Sequence, residues 1–347
     1  MRRLQRRRGF TLVEILISLG LAGLIVAGAF QLNNSFSQQA RRQNQIADVQ
    51  QSLRLVMNIL EHSIRSAGSG LSGNLMRFTG CSTTDLYGFQ YYNTNTFPPV
   101  AGTFDTNAGD NDPDPDWFRV LVPEPGQYLI TADTGSASTI LGGPLTDWAA
   151  GNLFVALQPG SQTLSCVREV SSVAPSSNTV VHNSPGSQFP CANPALETVA
   201  SGPADLVTCG LAGIAANPVP VRRFATETIY RIWTPAAGSL DPPKLVMARP
   251  PINHLTNVTW TVVAENIEDM QIALIMKNGS ICNHVDSPTL CNPTAISAVR
   301  VTLVGRSTTT IQGLASGKTG GYEDRAEVAT TDGYLRRSLT AVIQLRN

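Results

Sequence analysis

Charge is scarce in this sequence: Asp, Glu, Lys and Arg make up only 14% of its 347 residues, against about a quarter in ordinary soluble domains. The 25 basic and 25 acidic residues cancel, so no global field favours nucleic acid or an anionic surface. Aromatic residues stop at 6% and do not interleave with the basic pairs Arg41-Arg42, Arg222-Arg223 and Arg336-Arg337. Those pairs read as solvated surface, and no nucleic-acid partner is expected. There is no Cys-x-x-Cys, no His-Glu-x-x-His and no Gly-x-Ser-x-Gly, and His62, His182, His254 and His284 are scattered. The common zinc, metalloprotease and serine-hydrolase signatures are therefore missing. Nothing in the sequence calls for a cofactor, and the chain reads as a non-enzyme.

Two partial motifs carry little. Four carboxylates alternate along Asp110-Asn111-Asp112-Pro113-Asp114-Pro115-Asp116. A helix-loop-helix calcium site needs Gly at its sixth position and Glu at its twelfth, and Pro115 and Leu121 stand there. The run reads as a Pro-Asp turn leading into a strand at Trp117, with calcium on the 105–116 stretch left open. Gly317-Lys318-Thr319 has Gln312 where a phosphate-binding loop needs its first glycine, and that reading is rejected.

What is present begins with six cysteines: Cys81, Cys166, Cys191, Cys209, Cys282 and Cys291. Their number is even and all follow the apolar N-terminal segment, which suits disulfides in an oxidising compartment. Cys282 and Cys291 flank a turn-rich stretch containing Pro288, and closing so short a loop is worth roughly 3 kcal/mol in the chain-entropy model. A zinc site built on that pair with His284 lacks a second close ligand pair. The other pairings stay open.

The densest information lies at the N-terminus. Arg2, Arg3, Arg6, Arg7 and Arg8 precede FTLVEILISLGLAGLIVAGAF, residues 10–30, in which Thr11, Glu14 and Ser18 are the polar side chains. As a helix this segment reaches roughly 31 Å, the thickness of a bilayer's hydrocarbon core. The arginines would stay cytoplasmic and send the remainder outward. An ordinary signal peptide cleaved after Ala27-Gly28-Ala29, or a plain anchor, leaves Glu14 unexplained. A carboxylate in such a span costs on the order of 2.5–3.5 kcal/mol and is usually functional.

Arg8-Gly9-Phe10-Thr11-Leu12-Val13-Glu14 resembles the cleavage and methylation motif of type IV prepilins and pseudopilins. The resemblance implies a cut between Gly9 and Phe10 by a prepilin peptidase, with N-methylation of Phe10. It also implies that Glu14 meets the cationic amine of a neighbouring subunit in a filament core, each charge relieving the other there.

The helix continues beyond the apolar span. Ile46, Val49, Leu53, Val56, Met57, Leu60 and Ile64 recur at spacings of three and four, while Gln50, Gln51, Arg54, Asn58 and Glu61 fill the other faces. This is the stripe of an amphipathic helix, ended by Gly68 and Gly70. Gly20, Gly23 and Gly28 weaken the helix but permit close helix contact in lipid.

After Gly70 the pattern turns to short strands between Gly, Pro, Asn and Asp turns. Candidates are Trp117–Val122, Leu153–Leu157, Thr228–Trp233, Lys244–Ala248, Val258–Val263 and the alternating runs around Val299–Leu303 and Leu339–Leu345. The turn-rich stretches 88–116, 158–227 and 276–294 read as insertions. The fold class is α+β: a long N-terminal helix packed on an antiparallel sheet, the pilin-like arrangement that the resemblance implies. The expected organisation is a leader at 1–9, a membrane or filament-core helix at 10–30, its amphipathic half at 31–68 and a β-rich head at 69–347.

Ile64-Arg65-Ser66-Ala67-Gly68, Asn266-Ile267-Glu268-Asp269-Met270-Gln271, Ala298–Val304 followed by Arg306, and the ending from Arg336 to Leu345-Arg346-Asn347 resemble segments of PilW-type minor pilins. That likeness implies a subunit held in a bacterial inner membrane with its head on the periplasmic side, then taken into an extracellular pilus. Its partners would be major and minor pilins, the prepilin peptidase and an adhesin at the tip, and its role would be priming near the tip. A minor pseudopilin of a type II secretion system is the alternative within the superfamily. An exported enzyme or binding protein with an ordinary signal peptide is the alternative outside it.

Overall fold

A proline-free run, rich in helix formers despite Gly20, Gly23 and Gly28, makes residues Leu12–Ser66 one α-helix, α1. The computed structural model describes residues 11–67, 89–92, 115–124, 128–135, 138–157, 165–182, 219–236, 239–252, 258–282, 296–311, 317–319 and 328–345. The chain divides into two units, Met1–Asp48 and Val49–Asn347. In the first, every described side chain from Thr11 to Asn44 is exposed. In the second, six of the seven predicted stripe residues form a buried seam, Val49, Leu53, Val56, Met57, Leu60 and Ile64; Ile46, in the first unit, is half-buried.

The strands of the second unit run in chain order. They are β1 (Phe89–Tyr92), β2 (Trp117–Leu121), β3 (Tyr128–Gly135), β4 (Ser138–Gly142), β5 (Leu153–Leu157) and β6 (Ser165–Ala174). Next come β7 (Thr179–His182), β8 (Val219–Phe224), β9 (Glu227–Trp233), β10 (Lys244–Ala248), β11 (Thr261–Glu265) and β12 (Ile267–Met276). Last are β13 (Ile281–Cys282), β14 (Ile296–Arg306), β15 (Gly317–Thr319), β16 (Val328–Thr330) and β17 (Arg336–Gln344). All named pairings are antiparallel.

The helix seam is covered by two sheets, a 5-stranded one in the order β1-β2-β9-β10-β11 and a 4-stranded one in the order β13-β12-β14-β17. Phe118, Tyr230 and Leu245 from the first sheet and Met270, Val301, Leu303 and Ile343 from the second share one core with the seam. Each fully buried side chain of this kind contributes roughly 1.5–3 kcal/mol relative to exposure. The helix packs tightly on Gly305, where an added Cβ would stand 3.2 Å from both Leu53 and Val49. Ser63 Oγ and Tyr230 Oη, 2.7 Å apart, fix its other end to β9.

The chain changes sheets at Asn266, whose φ of 62° lies in the left-handed region that Asn tolerates better than most residues. Its N–H donates to the Pro243 carbonyl at 2.7 Å and its carbonyl accepts from Arg306 N–H at 2.9 Å. This corner is what the segment from Asn266 to Gln271 builds.

The α+β reading stands, and the middle of the chain is richer than the turn signals suggest. Strands β3 to β8 close into a barrel in the order β3-β4-β7-β6-β5-β8, so the stretch 158–227, read as an insertion, contains β6, β7 and β8. Its core holds Ile130, Leu141, Trp148, Phe154, Val170, Val180 and Val221. Register shifts between Ile130 and Ala132, Asp133 and Gly135, and Val170 and Ser172 interrupt the alternation that identifies a strand in sequence. Strands β5 and β10 have the predicted bounds. The strand expected at Val258–Val263 lies instead at Thr261–Glu265, where the chain pairs with β10.

Candidate functional site

The N-terminal end of α1 concentrates the unusual chemistry. Thr11 caps the helix and Glu14 caps Thr11 in return. Thr11 N–H and Thr11 Oγ1–H donate to Glu14 Oε2 at 2.9 and 3.0 Å, and Glu14 N–H donates to Thr11 Oγ1 at 3.3 Å. This reciprocal capping box satisfies two helix-terminal donors and holds the carboxylate at the positive end of the helix dipole. Both of these contacts fall on Oε2, and among the described residues no donor reaches Oε1. The Ser18 hydroxyl donates to the Glu14 carbonyl at 2.7 Å, which leaves the apolar segment with no stray hydroxyl.

Around this carboxylate the helix is apolar and outward-facing. Leu12 is 76% exposed and Ile25 is 73% exposed, far more apolar surface than a water-facing helix carries. Beside Gly20, Gly23 and Gly28 an added Cβ would meet nothing within 4 Å. Nothing among the described residues therefore requires these glycines, and close approach of another helix gives them a use. The helix is long and apolar enough to cross a membrane.

Gly9 and Phe10 lie outside the described residues, as do Cys81, Cys191, Cys209 and Cys291; Cys166 and Cys282 lie in β6 and β13 with side chains not described. Of the alternating carboxylates, Asp110, Asp112 and Asp114 lie outside the described residues. Asp116 is 1% exposed and faces inward, accepting Ile272 N–H at 2.5 Å. It serves the head, not an open ion loop. Among the described residues no three His, Cys, Asp or Glu side chains are placed to hold a metal. Gly317-Lys318-Thr319 is strand β15, paired with β16, which agrees with rejecting a phosphate loop.

The arginine pairs need correction. Arg41 and Arg42 are exposed as expected, but Arg223 is buried and paired with Glu124. Arg336 donates through Nε to Glu268 at 2.5 Å and through Nη1 to Asp332 at 2.8 Å. Two arginines read as solvated surface are thus internal clamps, because Glu124 and Glu268, remote in sequence, meet them in the fold. Burial works against the Arg336 charge, but hydrogen bonds to Asp332 and Glu268 outweigh it and hold its pKa above the ordinary value. Thr11 is the residue that sequence reasoning missed. The spacing Thr-x-x-Glu at the start of an apolar helix was the signal for it.

Comparison with known families agrees with this geometry at both ends of the chain. Residues 4–30 match the prokaryotic N-terminal methylation motif, and residues 229–347 match the type IV pilus-assembly protein W family. No curated protein and no solved structure gives a significant match. An N-terminal methylation motif on an apolar helix and a pilus-assembly W segment ending the head support a type IV prepilin, similar to the PilW-type minor pilins.

Proposed function

We propose that this minor pilin is cut between Gly9 and Phe10 by a prepilin peptidase and methylated at the new Phe10 amine. The segment 10–30 then holds it in the inner membrane with its head on the periplasmic side. From there it enters a type IV pilus, helps prime assembly and sits near the tip beside other minor pilins and an adhesin. Its role is structural. Cys282 and Cys291 are bridged in the exported head, with the remaining cysteines mostly paired.

The observation that carries this reading is Glu14 at the head of the exposed apolar helix. Its Oε2 is held by Thr11, while among the described residues Oε1 has no donor. In a bundle of such helices the methylated amine of a neighbour is a cation with no other acceptor nearby, and pairing relieves two desolvated charges together. Pairing of this kind sets the axial register of one subunit on the next.

Intact-mass analysis of protein extracted from sheared filaments tests the reading. The expected species lacks nine residues and carries one added methyl group at Phe10. A species beginning at Phe30, or an uncut chain in filaments, overturns it. Immunogold labelling of the head is expected at one end of each filament, and uniform labelling along the shaft removes the tip assignment.

A further inference from the structure

We propose that the chain between Leu121 and Glu227 is an inserted module, folded on its own core, that the head and its filament role do not require. The clause about the filament rests on the pilin reading above; the structural clause does not.

Entry and exit of this segment coincide. Strands β2 and β9 are antiparallel neighbours, and Leu121 stands directly opposite Glu227. The chain therefore leaves the five-stranded sheet and returns to it at one residue pair, where a tight turn would otherwise close a hairpin. Insertions are tolerated where their ends lie this close. The segment matching the W family begins at residue 229, just after this return.

The hydrophobic cores are separate. Among the described residues, the buried members of the barrel core lie from Ile130 to Val221, and no buried member of the head core lies in that range. Val122, just after β2, is partly buried against the head core, which puts the border immediately after it. The barrel is closed, so it has no free edge with which to extend a neighbour's sheet.

A neck joins the two parts. Glu124 N–H donates to the Arg223 carbonyl at 2.9 Å, and the Arg223 guanidinium pairs with the Glu124 carboxylate. The same guanidinium reaches Asn152 Oδ1 at 3.4 Å and lies 5.7 Å from the centre of the Trp148 ring. These contacts tie the two connecting strands to the barrel. On the sheet side the buried Arg119–Glu227 pair, at 3.0 Å, ties β2 to β9. Each part thus fastens its own end of the neck.

Hydrogen exchange on the full chain tests this with Ile130→Ala in the barrel core and Leu303→Ala in the head core. Ile130→Ala is expected to lower amide protection in 128–224 by on the order of tenfold or more, leaving β9 to β17 within about threefold of wild type. Leu303→Ala is expected to do the reverse. Should Ile130→Ala leave the barrel amides unchanged, Ile130→Asp is measured in the same way, and no change there overturns the separate core. Loss of protection that spreads into β9 to β17, or unfolding throughout, overturns the module. In sheared filaments the barrel-loosened variant is expected at wild-type abundance. Its loss from filaments that still contain the wild type overturns dispensability, whereas absence of the wild type itself counts against the pilin reading alone.

Discussion

Asp116 accepts the backbone N–H of Ile272 at 2.5 Å and returns its own N–H to the Met270 carbonyl at 2.8 Å. One residue ahead of β2 therefore serves the edge of β12 as a neighbouring strand would, and it links the two sheets that cover α1. Losing the acceptor leaves a buried N–H without its partner, which costs about 1–3 kcal/mol. Asp116→Ala should lower head stability by that amount in urea unfolding. Asp116→Asn keeps an acceptor oxygen and should cost less.

Asp332 gives the head an acid-sensitive contact. A hydrogen bond from Arg336 holds its carboxyl below the ordinary value of 3.8, with burial opposing. A carboxyl depressed in the folded state adds stability above its unfolded value and loses it as pH falls toward the folded one. Its side chain is 39% exposed, so after solvent screening the contribution is roughly 1 kcal/mol or less. Asp332→Asn should therefore be slightly less stable than wild type at neutral pH. The gap should close as pH falls below about 4, read as converging urea midpoints, and a gap that widens in acid would contradict the assignment.

Glu14 should matter little for residence in a membrane and much for joining a filament. Its insertion cost, on the order of 2.5–3.5 kcal/mol, is borne by a strongly apolar segment. Its proposed partner exists only after processing and assembly. Glu14→Leu is expected to be cut and anchored normally but to be scarce in filaments, with fractionation and shearing run in parallel. Wild-type abundance in filaments would mean that Glu14 is not an assembly residue, and would favour a terminal position with no amine to meet.

Much of the site was legible because its signals are local. The spacing of Ile46, Val49, Leu53, Val56, Met57, Leu60 and Ile64 predicts one helix face; the last six are buried and Ile46 is half-buried. The methylation motif spans contiguous residues, and the family match confirms that reading of residues 4–30. The barrel was harder to read, since its bulges break the period of two and its closure joins β3 to β8, far apart in the chain.

The long apolar helix, its buried seam, the carboxylate at its head and the α+β class all follow from periodicity or composition over a few turns of chain. That Asp116 closes a sheet edge, that Arg223 and Arg336 are internal clamps and that the middle of the chain is a barrel emerges only when distant segments meet. The physical reason is that a polar side chain has many local conformations of similar energy. Which of them persists depends on the backbone N–H or opposite charge that a distant segment brings to it, and on whether water is excluded when it arrives.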